Sequence, residues 1–218
     1  MTTADHEEVE LKLRAQGPAP LRRLARASRL GPARLGPSAT VDELDRYLDT
    51  PTRRLAGLRW ACRLRTRGGR TIVSLKGPPV SAIHGALHRR PEHEGPASAA
   101  LDPAAWPPSH ARDLLLGLAA GEVLGERLIL RQRRTERAAT VSGARVGTLS
   151  LDRVDARYDG HGPGRLYVVE LELAAEHAHD SDLLSALAAA LGSVDGLVPD
   201  PLTKLERAIE MAGASGIP

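Results

Sequence analysis

The segment Glu8-Val9-Glu10-Leu11-Lys12-Leu13-Arg14, close to the N-terminus, is the most informative about the fold of this 218-residue chain. Charged and aliphatic residues alternate strictly in it, which predicts a β-strand because successive strand side chains point to opposite faces. One face would carry two carboxylates beside an ammonium, and the other face would be entirely aliphatic. A single strand of this kind fits a sheet with one face in water, so its meaning depends on whether the pattern returns.

Charged residues on one face of a strand do return along the chain. Segment 168–173 nearly mirrors the first strand, with carboxylates at alternate positions. In segment 131–134 the sequence leaves open whether Arg133 or Arg134 shares the face of the other charged residues. The alternating charged residues are Arg63, Arg65, Lys76, Arg90, Glu92, Glu94, Arg131, Arg133, Asp152, Glu170 and Glu172.

Hydrophobic periodicity and turn residues divide the chain into strands and helices. Gly68-Gly69 joins two strands into a hairpin, and the stretch 95–108, rich in Ala, Pro and Ser, predicts a long surface loop. The sequence has no internal repeat and no long linker, so we predict one domain over residues 1–218. The predicted strands are 6–14, 39–49, 57–67, 70–76, 85–94, 127–136, 138–142, 147–157 and 165–174, and the predicted helices are 18–34, 109–121, 180–191 and 201–212.

Two α+β architectures place charge on one face of so many strands. One is an open sheet with a wet face. The other is a closed sheet with a charged interior, whose aliphatic exterior is covered by helices. The closed form gives the apolar helices at 18–34, 109–121 and 180–191 a surface to bury against, and we favour it for that reason.

A charged interior is costly unless the charges are paired, solvated or bound to a ligand. Two strands would bring Glu8, Glu10, Glu170 and Glu172 into one all-oxygen site, which hard divalent cations such as Mg²⁺ or Mn²⁺ prefer. The accompanying Arg and Lys side chains suit phosphate oxygens. A metal ion together with several cations indicates a polyphosphate ligand, and a tunnel matches an elongated one.

The order of these motifs resembles the CYTH domain, also called the triphosphate tunnel metalloenzyme family, over about residues 6–210. The resemblance implies a closed tunnel of eight antiparallel β-strands with helices outside. The motifs are Glu8-x-Glu10-x-Lys12, the segment 45–51 (Asp-Arg-Tyr-Leu-Asp-Thr-Pro), Arg63-x-Arg65, Lys76-Gly77, Arg90-x-Glu92-x-Glu94, Arg131-x-Arg133, Asp152, Glu170-x-Glu172, and Lys204 on the C-terminal helix.

Residue roles carry over from the resemblance by position. Glu10, Glu170 and Lys76 would be catalytic. The residues implied to hold Mg²⁺ or Mn²⁺ are Glu8, Glu10, Glu92, Glu94, Asp152, Glu170 and Glu172. The residues implied to bind phosphate are Lys12, Arg63, Arg65, Lys76, Arg90, Arg131, Arg133 and Lys204.

The activity that this resemblance implies is metal-dependent hydrolysis of a triphosphate by attack of water on a terminal phosphorus. Trp60 lies at an odd offset from Arg63, so we expect it on the outer face. With so few aromatic residues, inorganic triphosphate is favoured as the substrate. The alternatives are a class IV type adenylate cyclase, a thiamine triphosphatase, and a non-catalytic sensor that binds polyphosphate or a nucleotide.

Composition limits the partners and the compartment. A formal net charge of +3 is too small to predict nucleic-acid binding on its own. The single cysteine fits a reducing compartment. With no long apolar run and no signal-peptide pattern, we expect a cytoplasmic protein without a membrane partner. The oligomeric state stays open, with a homodimer as one option.

Overall fold

A computed structural model describes residues 5–80, 85–158 and 164–214 of the chain. Its strands are β1 (Asp5–Ala15), β2 (Arg29–Leu30), β3 (Ala33–Leu35), β4 (Ala39–Asp49), β5 (Ala61–Arg67), β6 (Arg70–Lys76), β7 (Leu87–Ala97), β8 (Gly125–Val141), β9 (Ala144–Tyr158), β10 (Gly164–Leu173) and β11 (Leu197–Pro199). Its α-helices are α1 (Pro18–Arg26), α2 (Arg54–Gly57), α3 (His110–Ala119), α4 (Ser181–Gly192) and α5 (Lys204–Ala214).

Within these ranges eight strands close into a ring. The order around it is β8-β4-β5-β6-β7-β1-β10-β9, and β9 pairs with β8 to complete the closure. All neighbouring pairs in the ring are antiparallel. The short strands β2, β3 and β11 extend the sheet at its margins. The closed eight-stranded antiparallel tunnel is thereby confirmed.

The aliphatic side chains of most strands face outward beneath helices, as predicted. Val9, Leu11 and Leu13 of β1 belong to a core cluster that also contains Leu187 and Leu191 of α4. A second cluster joins the outward side chains of β5 and β6 to α3. Complete burial of one such side chain contributes on the order of 2 kcal/mol, so these two layers hold the charged ring in shape.

One part of the interior is apolar instead of charged. Leu128 and Leu130 of β8 face inward and form a third core cluster with Val154, Val168 and Ala208. Ala208 belongs to α5, so this helix packs into one end of the ring. This packing places Lys204, the first residue of α5, beside the charged residues of the tunnel.

Several predicted element bounds are wrong. The predicted helix 18–34 ends at Arg26, where Ala27 is already extended, and the remaining residues form the hairpin of β2 and β3, which turns at Gly31 (φ +54°). The two strands predicted at 127–136 and 138–142 are one 17-residue strand, β8.

Two further bounds differ, and one local feature agrees. Strand β5 begins only at Ala61, because α2 precedes it, and β7 continues to Ala97 in register with β6. The Ser109 side chain accepts a hydrogen bond from the Arg112 amide and caps α3, as its sequence position predicts. None of the helices in the described ranges has the length and apolar character needed to span a bilayer.

Candidate active site

Strand register brings the predicted acidic residues together on the inner face. Glu10 of β1 lies directly opposite Glu172 of β10, and Lys12 lies opposite Glu170. On the other side of β1, Glu8 lies opposite Arg90 of β7. The cavity that they share is lined by Glu8, Glu10, Lys12, Tyr47, Ala61, Arg63, Arg65, Lys76, Arg90, Glu92, Glu94, Arg134, Ser150, Glu170, Glu172, Thr203, Lys204 and Leu205.

The first charge cluster is centred on Glu8. Its carboxylate accepts a hydrogen bond from the Lys76 ammonium, and the Arg90 Nε donates to it at 2.9 Å. Lys76 also lies 3.4 Å from Glu92, which accepts a bond from the Ser74 hydroxyl. Burial opposes ionisation of Glu8, but the neighbouring Lys76 and Arg90 charges outweigh it and hold the Glu8 pKa below its usual range.

Glu10 differs from the other carboxyls because its surroundings contain more negative than positive charge. It is buried, and its only ion pair among the described residues is to Arg90 at 3.4 Å. Burial and the charges of Glu8 and Glu170 raise the pKa of Glu10 to about 7. A carboxyl that titrates near neutrality is matched to proton transfer at physiological pH.

A second charge cluster lies where α5 enters the ring. Arg134 forms two hydrogen bonds to Asp152, at 2.8 and 2.7 Å, and a third to Glu170 at 2.9 Å. The Lys204 ammonium reaches the same two carboxylates at 2.6 and 2.7 Å. Burial opposes ionisation of Glu170, yet Lys204 and Arg134 hold its pKa well below the usual range. Glu170 is therefore a weak proton acceptor.

The tunnel wall between the two clusters is built around Asp45. Arg65 binds this carboxylate with two bonds of 2.8 Å, and Arg63 lies 3.6 Å from it. Gln132 donates to it from β8 at 2.8 Å. Asp45 is fully buried, so it orients Arg63 and Arg65 from behind while their guanidinium groups line the cavity.

Lys12 is held differently from the other predicted phosphate ligands. Its side chain is almost fully buried, and its ammonium donates to the Leu202 carbonyl just before α5. Burial lowers the pKa of this lysine. The residue thus ties β1 to the segment that positions Lys204, besides lining the cavity.

The prediction that Arg131 and Arg133 face the interior is wrong. Both side chains are exposed and point away from the cavity, while Gln132 and Arg134 face inward. The prediction assumed that the aliphatic residues of every strand face outward. On β8 they do not, because Leu128 and Leu130 face inward against α5. The structure thus settles the open choice in favour of Arg134.

Asp152 also departs from its predicted position. It is fully buried and does not line the cavity. Because it holds both Arg134 and Lys204, it acts as a positioning residue for two cations. The pairing of Asp152 with Arg134 across β9 and β8 could have been found from sequence only with the strand register in hand.

The carboxylates predicted to hold metal do not all converge. No three His, Cys, Asp or Glu side chains in the described residues form a ready-made metal cluster. Glu92 is taken up by Ser74 and Lys76, and Glu170 by Arg134 and Lys204. Glu8 is bound by Lys76 and Arg90 in the same way, so a metal ion at any of these three carboxylates would compete with the neighbouring cations.

The remaining donors do fit a hard divalent cation. Glu172 is exposed at the cavity, lies directly opposite Glu10, and has no ion pair among the described residues. Glu8 lies two residues before Glu10 on β1, on the same inner face. The raised pKa of Glu10 indicates excess negative charge between them, which a cation would neutralise. Glu172 is therefore the carboxylate we expect to hold Mg²⁺ or Mn²⁺, and Glu8 would complete the site when the metal ion competes with Lys76 and Arg90 for its oxygens.

Stability of the metal-free protein should depend on pH through Glu10. Its pKa is raised from 4.5 to about 7, so between these values the folded chain holds a proton that the unfolded chain releases. Stability from this residue is therefore lost as pH rises through that window. Thermal melting in EDTA should show a wild-type Tm that falls relative to Glu10→Gln over this range. A constant difference between the two proteins would contradict the assignment.

These features define a class of protein, a closed antiparallel β-tunnel with acidic and basic side chains facing one another inside. Residues 6–209 match the CYTH domain family, and the chain belongs to this family. The resemblance inferred from the motif order is thereby confirmed. A search of curated protein sequences found no match.

Solved structures share the fold. HpAC1 from Hippeastrum, a candidate adenylyl cyclase with a dominant triphosphatase activity, is 20% identical with a TM-score of 0.70, and the match covers 94% of this chain and 96% of that one. A candidate adenylate cyclase from Bacillus halodurans is 22% identical with a TM-score of 0.57, covering 92% and 97%. PH1819 from Pyrococcus horikoshii is 19% identical with a TM-score of 0.52, covering 93% and 99%. At these identities the likeness concerns the fold alone.

Proposed function

We propose that this chain is a divalent-metal-dependent triphosphatase that hydrolyses inorganic triphosphate to pyrophosphate and orthophosphate. One observation carries the proposal. The same enclosed cavity places guanidinium groups beside Glu10, a buried carboxyl whose one ion pair among the described residues is a long contact of 3.4 Å to Arg90. Guanidinium forks bind phosphate oxygens, and such a carboxyl can accept a proton from water.

The cations of the cavity would bind and orient the substrate. Arg63 and Arg65 are fixed from behind by Asp45, and Arg134 is fixed by Asp152, so their forks are held ready for phosphate oxygens without reorganisation. Lys76 and Arg90 lie beside Glu8 and would stabilise charge on the leaving pyrophosphate. Preorganised cations of this kind supply most of the stabilisation in phosphoryl transfer.

Glu10 would accept the proton of the attacking water. The oxygen of that water forms a bond to the terminal phosphorus, the bond from this phosphorus to the bridging oxygen breaks, and the pyrophosphate leaves with the bond electrons. A divalent ion, when bound, supplies charge neutralisation on the phosphate oxygens. Glu10 fits the role of base better than Glu170, because Arg134 and Lys204 stabilise the ionised form of Glu170.

A specific observation favours a second candidate, hydrolysis of an organic triphosphate such as thiamine triphosphate. A neighbouring cavity shares Lys76 and Arg90 with the site and is lined in part by Trp60, Leu205 and Ile209. Trp60 packs mainly on the outer cluster and stacks on His93 at 5.9 Å, so only part of its ring is available there. For that reason we place this candidate second.

The decisive experiment is a comparison of substrates. Triphosphate, thiamine triphosphate and ATP are each incubated with the protein and Mg²⁺ or Mn²⁺, and the products are resolved by ³¹P NMR. Orthophosphate released fastest from triphosphate supports the proposal, while faster release from thiamine triphosphate supports the second candidate. Cyclic AMP with pyrophosphate, or binding without turnover, would refute both.

Metal removal gives a separate prediction. EDTA should lower triphosphate hydrolysis at least ~100-fold, because the phosphate charge then lacks its main counter-ion. Excess Mg²⁺ or Mn²⁺ should restore the rate, and Glu172→Gln should raise the Mg²⁺ concentration needed for half-maximal activity. Full activity in EDTA would contradict the proposed metal dependence.

A further inference from the structure

The outer face of β4, β8 and β9 differs from the rest of the exterior of the tunnel. Elsewhere, helices α1, α3 and α4 bury the outward side chains of the strands. Here the outward side chains of Arg131, Arg133, Arg153 and Arg157 are exposed. We call these four residues, with Arg165 of β10, the arginine face.

Strand register places like charges side by side on this face. Arg133 of β8 lies directly opposite Arg153 of β9. Like charges at directly opposed positions of an antiparallel pair destabilise a sheet. An arrangement that local stability disfavours is the kind of feature expected at a functional surface, and here it indicates an external anion.

The available acids do not neutralise the arginine face. Asp155 is shared by Arg153 at 3.6 Å and Arg165 at 2.7 Å. In the part of the chain that the structure describes, no ion pair engages Arg131, Arg133 or Arg157. Five arginines against Asp42 and Asp155 leave an excess of three positive charges, equal to the formal net charge of the whole chain.

The arginine face is part of a groove. The groove is lined by Arg131, Arg133 and Arg153 together with Leu44, Thr66 and the acids Asp42, Glu43 and Asp155, while Arg157 and Arg165 lie outside it. Glu43 is buried and paired with Arg65 and Arg67, so Asp42 and Asp155 are the acids that a ligand in the groove would meet. Alternate residues of a strand lie about 6.8 Å apart, so Arg131 and Arg133 match the spacing of alternate side chains in an extended peptide. A chain with acidic residues at every second position would meet both guanidinium groups.

We propose that the arginine face is a docking surface for an acidic polypeptide segment in an extended conformation. Charge complementarity selects an anionic partner. Asp42 and Asp155 lie within the groove, so the partner must carry no negative charge at these positions, which a polypeptide with neutral residues between its acids satisfies and a continuous phosphate backbone does not. On the outward side of the described parts of β4, β8, β9 and β10, Tyr167 is the one aromatic side chain. Recognition of single strands of nucleic acid relies on several such stacking groups, so a polypeptide is favoured.

The test uses defined probes and the full chain. Binding of a fluorescein-labelled peptide of alternating Glu and Ala is measured by fluorescence anisotropy, beside oligo-dT of equal charge and an alternating Lys-Ala peptide. The variant is Arg133→Glu with Arg153→Glu. The matched control is Arg22→Glu with Arg23→Glu, which makes the same charge change on the exposed side of α1.

The proposal expects the acidic peptide to bind, with at least ~10-fold weaker affinity in the arginine-face variant and less than ~2-fold change in the control. Affinity should also fall as salt is raised. Equal losses in both variants, tighter binding of oligo-dT, or no binding of the acidic peptide would overturn it. Unchanged melting temperature and triphosphate hydrolysis in the variant would show that the loss is not a folding defect.

Discussion

Glu10→Gln is expected to lower turnover of triphosphate at least ~100-fold while the fold stays intact. The substitution keeps the shape of the side chain but removes its ability to accept a proton. It also removes the carboxylate charge of Glu10, whose ionisation burial and the charges of Glu8 and Glu170 oppose. Because Arg63, Arg65 and the other cations are unchanged, substrate binding should survive, so the loss should appear in kcat more than in KM.

The matched control for Glu10 lies on the same strand. Glu7→Gln makes the identical chemical change at a partly exposed position whose partner is Arg89 at 3.2 Å, outside the cavity. Its turnover should stay within a factor of about two of wild type. Equal rates for Glu10→Gln and wild type, with both proteins folded, would reject the catalytic role of Glu10.

The closed tunnel could be predicted because the charged faces of its strands point inward and the aliphatic faces point outward, the reverse of an ordinary soluble protein. In β1, the charged Glu8, Glu10 and Lys12 alternate with aliphatic residues, and three apolar helices need a surface to cover. An open sheet would leave those helices without partners, whereas a ring with a charged interior satisfies both. Packing and periodicity point to the same answer here, which is the condition under which a sequence specifies its fold.

The orientation of β8 could not be read in the same way. Leu128 and Leu130 look like outward-facing residues by the rule that holds for β1, but they face inward because α5 packs into that end of the ring. The prediction therefore selected Arg131 and Arg133 where the structure uses Arg134. A tertiary contact more than 70 residues away in sequence decides the orientation, and no local pattern contains it.

The partners of the site residues were also beyond the sequence. The list of charged residues could be assembled from alternation, but their pairing depends on register. Glu170 looks equivalent to Glu10 in sequence, since both belong to a Glu-x-Glu motif. In the structure Lys204 and Arg134 bind Glu170, while Glu10 has one long ion pair to Arg90 and lies near the charges of Glu8 and Glu170. On this difference rests our proposal that Glu10 is the base and Glu170 is not.

Arg137 is a buried arginine outside the site that binds several backbone carbonyls at once. Arg137 of β8 directs its guanidinium to backbone carbonyls at the end of α1, Leu24 at 2.8 Å and Ala25 at 3.2 Å, and to those of Leu35 at 3.1 Å and Gly36 at 2.8 Å. The last carbonyls of a helix have no partner within the helix and carry partial negative charge. The single side chain therefore fastens α1 to β3 and β8.

Arg137→Ala is expected to lower the free energy of unfolding by at least ~3 kcal/mol, because several buried carbonyls lose their donor together. For a chain of this size that corresponds to a fall in Tm of roughly 6–12 °C. Arg137→Lys keeps the charge but not the planar fork, so it should recover only part of the loss. Arg133→Ala, an exposed change on the same strand, should stay within about 0.5 kcal/mol of wild type. If denaturant unfolding gave equal stabilities for Arg137→Ala and Arg133→Ala, the carbonyl contacts would not hold α1 in place.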